Sequence, residues 1–175
     1  MTYVPREGLN SMSNSGLQQN GWITGIFFGT GSGVITTLGL IVGLFAGTES
    51  MAAVLGGIVI IGISDSMSDA FGIHLSEEAR PDSTTRSVWT ATLATLVTKF
   101  CMAITFAVPL LLLPLQQAVV ACLIWGALVM ILLSVFIARR QKQGAALIIA
   151  EHLGIAVIVV VLSWLVGNGI SQMVG

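Results

Sequence analysis

Hydrophobic residues gather along this chain into long runs, and most of the charged residues fall in a leading segment and four short breaks. A helix needs about 20 mostly apolar residues to cross a bilayer core. Five runs meet that length, at about 22–47, 51–75, 88–112, 115–138 and 144–170. The breaks at 47–50, 76–87, 114–117 and 138–144 carry Gly, Pro, Ser or charged residues, the usual punctuation between elements. Runs such as 118–137 and 145–166 are apolar on every face. A membrane barrel would instead alternate over segments of about 10 residues. The pattern therefore predicts an all-α, polytopic membrane protein. It has a polar tail over 1–21, a domain of five transmembrane helices over 22–171 and a short tail over 172–175. Two connections are only a few residues long, so their helices form antiparallel hairpins.

Arg6, Arg80, Arg86, Arg139, Arg140 and Lys142 all fall on one side of this arrangement. The positive-inside rule then puts the N-terminus in the cytoplasm and the C-terminus outside or in a lumen. That suits a prokaryotic plasma membrane or a vacuole-type membrane. Residues 1–21 lack the basic region and short apolar core of a signal peptide, so the first span is expected to direct insertion.

Composition agrees: 55% of the 175 residues are hydrophobic, 9% are charged and mean hydropathy is +0.95. Soluble domains carry about 25% charged residues. A net charge of −1 offers no broad field for a polyanion, so a nucleic-acid partner is not expected. Cys101 and Cys122 lie in apolar runs without CxxC spacing and read as small buried hydrophobes. No GxxxxGK[ST], GxSxG or HExxH occurs, and the chain is not expected to be an enzyme or to hold a tightly bound cofactor.

The first span carries two four-residue glycine ladders, Gly25, Gly29 and Gly33, then Gly39, Gly43 and Gly47. Small faces let helix backbones touch, the main route to helix association in lipid. Gly29, Gly31 and Gly33 also flank Thr30 and Ser32, so the span reads as a self-association or pore-lining helix. In the second span, Asp65 and Asp69 stand at i,i+4 on one face near mid-depth. Intramembrane carboxylates cost at least about 2.5 kcal/mol each, which makes function the default reading. Ser64, Met67, Phe71, His74 and Glu78 follow helical spacing on a second face. Carboxylate, imidazole and thioether together suit a divalent transition metal such as Fe(II). Lys99 lies mid-way along the third span and needs a partner; an ion pair with one of the two acids is the structural alternative. Glu77 and Glu78 read either as a solvated loop or as a cation-collecting mouth, and Glu151 and His152 as a snorkelling pair in the last span.

In order and number, these spans resemble the vacuolar iron transporter family, which includes the yeast vacuolar iron and manganese carrier and the plant nodulin-like proteins. The stretch from Gly29 through Ser32, Gly33 and Thr36 to Gly43 is similar to that family's glycine-rich G-x-N-D-G segment. Ser66-Met67 followed by Phe71 and Ser76 is similar to its S-M-A-A-G-E-Y-x-S stretch, and Pro109 to Pro114 to its P-L-L-P ending. Gly154 through Leu165, Val166 and Gly167 resembles its closing segment. The resemblance implies a homodimer paired through the first span, carrying Fe2+ or Mn2+ out of the cytoplasm in exchange for protons. The family's intramembrane methionine falls on Met67 and its first-span aspartate on Ser32, which cannot ionise; its second-span glutamate has Asp69 as the nearest acid. The long cytoplasmic insertion of some members is lacking here.

The expected function is divalent metal transport, with Asp65, Met67 and Asp69 as central ligands and His74, Glu77 and Glu78 at the mouth. Gly25, Gly29, Thr30, Ser32 and Gly33 would line the path or the dimer contact, and Lys99 would be the charge partner. The alternative is a non-transporting subunit or scaffold in which the Asp and Lys groups form a polar lock.

Overall fold

A computed structural model describes residues 21–174. The expected tail over 1–21 lies outside the described residues except for Gly21, which is helical. The helices are α1 (Gly21–Thr48), α2 (Met51–Glu78), α3 (Thr85–Thr105), α4 (Ala107–Leu112), α5 (Leu115–Gln141) and α6 (Ala145–Val174). With α3 and α4 taken as one span, five helical units are long and apolar enough to cross a membrane. The described residues are thus all-α, with the five spans of a polytopic membrane protein.

Capping decides where several helices begin and end. Ser50 caps α2 by accepting from the Ala53 N–H at 3.3 Å, after a turn through Glu49 at φ 48°. Thr84 caps α3 by accepting from the Ser87 N–H at 3.2 Å. Residues 85–87, expected in a loop, therefore form the first turn of α3, because a capped helix starts at its cap and not at its first apolar residue. Ser76, Glu77 and Glu78 likewise belong to the last turn of α2, so the polar connection is shorter than the expected 76–87. Helix α6 runs on to Val174, and the tail expected over 172–175 is helical as far as it is described.

The third span breaks at Phe106. Pro109 has no N–H for the Thr105 carbonyl, and its ring crowds that oxygen, so the helix cannot pass straight through. The break is fastened from α5. The Trp125 indole donates to Thr105 Oγ1 at 3.1 Å, and the Cys122 thiol donates to the Phe106 carbonyl at 3.5 Å. Cys122 is buried as expected, whereas Cys101 lies on the outer face of α3.

Helix α1 sits centrally, packed against α2, α3, α5 and α6. Val34, Leu38 and Ile41 of α1 meet Val54 and Ile58 of α2 and Phe106 in the buried core. The two glycine ladders serve two different neighbours. The first faces α3: a Cβ at Gly29 would stand 2.9 Å from the Thr95 carbonyl oxygen, and one at Gly33 3.2 Å from Met102 Cβ. The second faces α6, where a Cβ at Gly39 would stand 2.9 Å from Val159 Cγ1 and 3.0 Å from Ser163 Oγ. The six-residue step from Gly33 to Gly39 moves the small face by about 120° around the helix, which is why two helices can be received. Gly25, Gly29 and Gly33 were expected to pair two copies of the chain. They are instead occupied by the chain's own α3.

Antiparallel neighbours bring the α2–α3 and α5–α6 connections to one end. Arg80, Arg86, Arg139, Arg140 and Lys142 gather there.

Candidate functional site

Three helices bring polar side chains together half-way through the bundle. Asp65 is the fifteenth of the 28 residues of α2, and Lys99 the fifteenth of the 28 in the third span. Ser32 is the twelfth of the 28 residues of α1. Lys99 Nζ lies 2.6 Å from Asp65 Oδ2, pairs directly with Asp69 Oδ2, and donates to Ser32 Oγ at 2.9 Å. The Ser32 hydroxyl in turn donates to Asp69 Oδ2 at 2.7 Å. One ammonium is therefore shared by two carboxylates and a hydroxyl that bridges to one of them.

The arrangement follows from the sequence locally. The i,i+4 spacing of Asp65 and Asp69 stacks both acids on the side of α2 that meets α3. The bare face of α1 at Gly29 and Gly33 gives the lysine stem its passage: a Cβ at Gly33 would lie 3.4 Å from Lys99 Cγ, and one at Gly29 3.1 Å from the Lys99 backbone nitrogen. The Lys99 side chain is 2% exposed, while those of Asp65 and Asp69 are 26% and 23% exposed. The ammonium thus lies behind the acids, and the acids keep an open side. Fully ionised, two carboxylates and one ammonium carry a net charge of −1.

Polar pairing continues along the α2–α3 seam toward the basic end. His74 Nδ1 is 3.0 Å from Thr92 Oγ1, whose own proton goes to the Val88 carbonyl at 2.8 Å. His74 Nε2 stands 3.9 Å from Glu78 Oε2, and its ring meets Trp89 edge-on. In the opposite direction the buried positions of the third span, Ala103, Phe106 and Leu110, are all apolar.

The other expected ligands lie elsewhere. Met67 is 62% exposed on the outward face of α2, two residues and about 200° from Asp65, and cannot join the acids. Ser64 and Phe71 share that outward face. His74 stands more than a turn from Asp69 and is engaged by Thr92. Glu77 is buried and receives both of its contacts from Arg80 Nη1, at 3.1 and 3.2 Å. Glu78 is open to solvent. Thr30, two residues before Ser32, points to a different side of α1. Among the described residues no group of three or more His, Cys, Asp or Glu is placed to hold a metal ion. The site thus contracts to Asp65, Asp69, Ser32 and Lys99.

Two partners escaped the sequence reading. Thr92 shares the buried face of α3 with Thr95 and Lys99, a polar line at 3–4 residue spacing that was visible in the sequence. Ser134 of α5 stands 2.8 Å from His152 Nδ1 while donating to the Met130 carbonyl at 2.6 Å. His152 is therefore fixed inside the bundle and does not snorkel beside Glu151. No family model, curated protein or solved structure matches this chain.

Proposed function

We propose that this protein is a cation transporter of the membrane, moving a divalent transition metal such as Fe2+ or Mn2+ out of the cytoplasm in exchange for protons. Asp65 and Asp69 bind the cargo, and Ser32 adds a neutral oxygen. The carrying observation is that two carboxylates of α2 and a hydroxyl of α1 converge at mid-depth on a single positive charge from α3, with the acids open on one side. Oxygen donors of this kind suit Mn2+ and Fe2+ better than softer ions. The resemblance to the vacuolar iron transporter family points the same way.

A second reading has its own observation. Lys99 already forms ion pairs with both acids and is almost fully buried, as a structural polar lock in a scaffold subunit requires. Against this, a charged cluster at mid-depth is an expensive way to hold helices that glycine packing already joins.

The test is flux of Mn2+ and Fe2+ into sealed proteoliposomes with an internal pH dye, native protein against Asp65→Asn/Asp69→Asn. Transport with opposing proton movement, lost in the double variant, supports the proposal. A correctly folded native protein that moves neither metal leaves the polar lock.

A further inference from the structure

The two faces of the site differ. Lys99 reaches the acids from the α3 side through the passage beside Gly33 and is sealed there, while the acids open the other way. A cation arriving from the open side meets carboxylate oxygens that are already turned toward an ammonium. Divalent metals bind carboxylates at about 2.0–2.2 Å. An ion at that distance from both acids would stand against Nζ, itself 2.6 Å from Asp65. In a medium of low dielectric two such like charges repel strongly.

We infer that Lys99 is a tethered competitor of the cargo: its ammonium fills the place between Asp65, Asp69 and Ser32 that a divalent cation takes, and the cargo binds by displacing it. The inference rests on the reading of Asp65 and Asp69 as the cargo site and deepens it. The lysine stem has four flexible carbons, so the ammonium swings from between the acids toward their open side, where reagent reaches it, without movement of α3. When cargo leaves, the ammonium returns. The acids then do not stand bare at mid-depth, and release of a tightly held ion is assisted. Lys99 is thereby a specificity-determining residue that holds divalent affinity low.

The chain has two lysines, and Lys142 is exposed at the α5–α6 connection, so it serves as an internal control. The native protein in liposomes is treated with formaldehyde and a borane reductant across a range of Mn2+ concentrations. Methylation at each lysine is read by mass spectrometry, with Mn2+ flux measured on the same preparation. The expected result is constant labelling of Lys142, protection of Lys99 without metal, and Lys99 labelling that rises over the Mn2+ range in which flux saturates. A folded Lys99→Met variant binds Mn2+ at least about tenfold more tightly than the native protein. Flux that saturates while Lys99 stays protected overturns the competitor and leaves the transport reading standing, as does labelling that is high without metal. Absence of both Mn2+ flux and metal-dependent labelling overturns the two together. The labelling needs no variant, so a Lys99→Met chain that fails to fold does not remove the test.

Discussion

Replacing Lys99 by Met removes the only positive charge from a cluster in which it contacts two acids. The stem is kept, so packing beside Gly33 changes little and the effect is electrostatic. Breaking a buried ion pair by deleting one partner costs about 3–5 kcal/mol, because the remaining charge is stranded. Here two carboxylates are stranded, but each is about a quarter exposed. The lower part of that range, about 3 kcal/mol, is the expected loss. For chains of this size about 2–4 °C of melting temperature accompanies each kcal/mol, so the expected fall is about 6–12 °C. Thermal unfolding in detergent without divalent cations, followed by circular dichroism, reads it. The triple variant Asp65→Asn/Asp69→Asn/Lys99→Met carries no charge at the site and recovers most of the loss, since a neutral site no longer strands an ion. Asp69→Asn costs more than Asp65→Asn, because Asp69 also accepts from Ser32. A Lys99→Met chain as stable as the native one, or a triple variant as unstable as the single, refutes the electrostatic account.

Other outcomes follow from the same packing. Gly33→Leu destabilises by about 1–3 kcal/mol through overpacking against Met102 and Lys99. Gly56→Ala and Gly72→Ala, with nothing within 4 Å of the added carbon, are neutral or stabilising by up to about 1 kcal/mol from helix propensity; paired melting curves compare the three. Ser66 Oγ and Thr37 Oγ1 are buried without a hydrogen-bond partner, so Ser66→Ala and Thr37→Val raise the melting temperature where other core truncations lower it. Met67→Leu leaves Mn2+ flux unchanged because Met67 faces outward from the bundle; a loss of flux in that variant would return the thioether to the site.

Hydropathy alone made the five spans and their antiparallel order legible, since runs of that length have few other uses. Boundaries were missed at 76–78 and 85–87 because capping by Thr84 and the register of α2 carry helix through polar residues. The glycine ladders were visible, but their partners were not. Small-residue spacing says that a backbone approaches, without saying whether it belongs to a second copy or to the same chain. In the site, Asp65, Asp69 and Lys99 stood out because charge at mid-depth is costly. Lys99 taking both acids was not foreseen. One ammonium has three donors, and a bare helix face lets it reach between two carboxylates a turn apart. Ser32 looked like the loss of an acid, yet it is the hydroxyl that links Lys99 to Asp69. Met67 misled because a 3–4 stripe read along a single helix does not reveal which stripe faces inward.

The most direct test of Asp65 and Asp69 as a cation seat is equilibrium Mn2+ binding to the purified protein, read from loss of the free-ion electron paramagnetic resonance signal. Saturable binding at one ion per chain, abolished by Asp65→Asn/Asp69→Asn and kept by Met67→Leu, is the predicted result. Binding that survives the double asparagine change, or a folded native protein with no saturable binding, would contradict it.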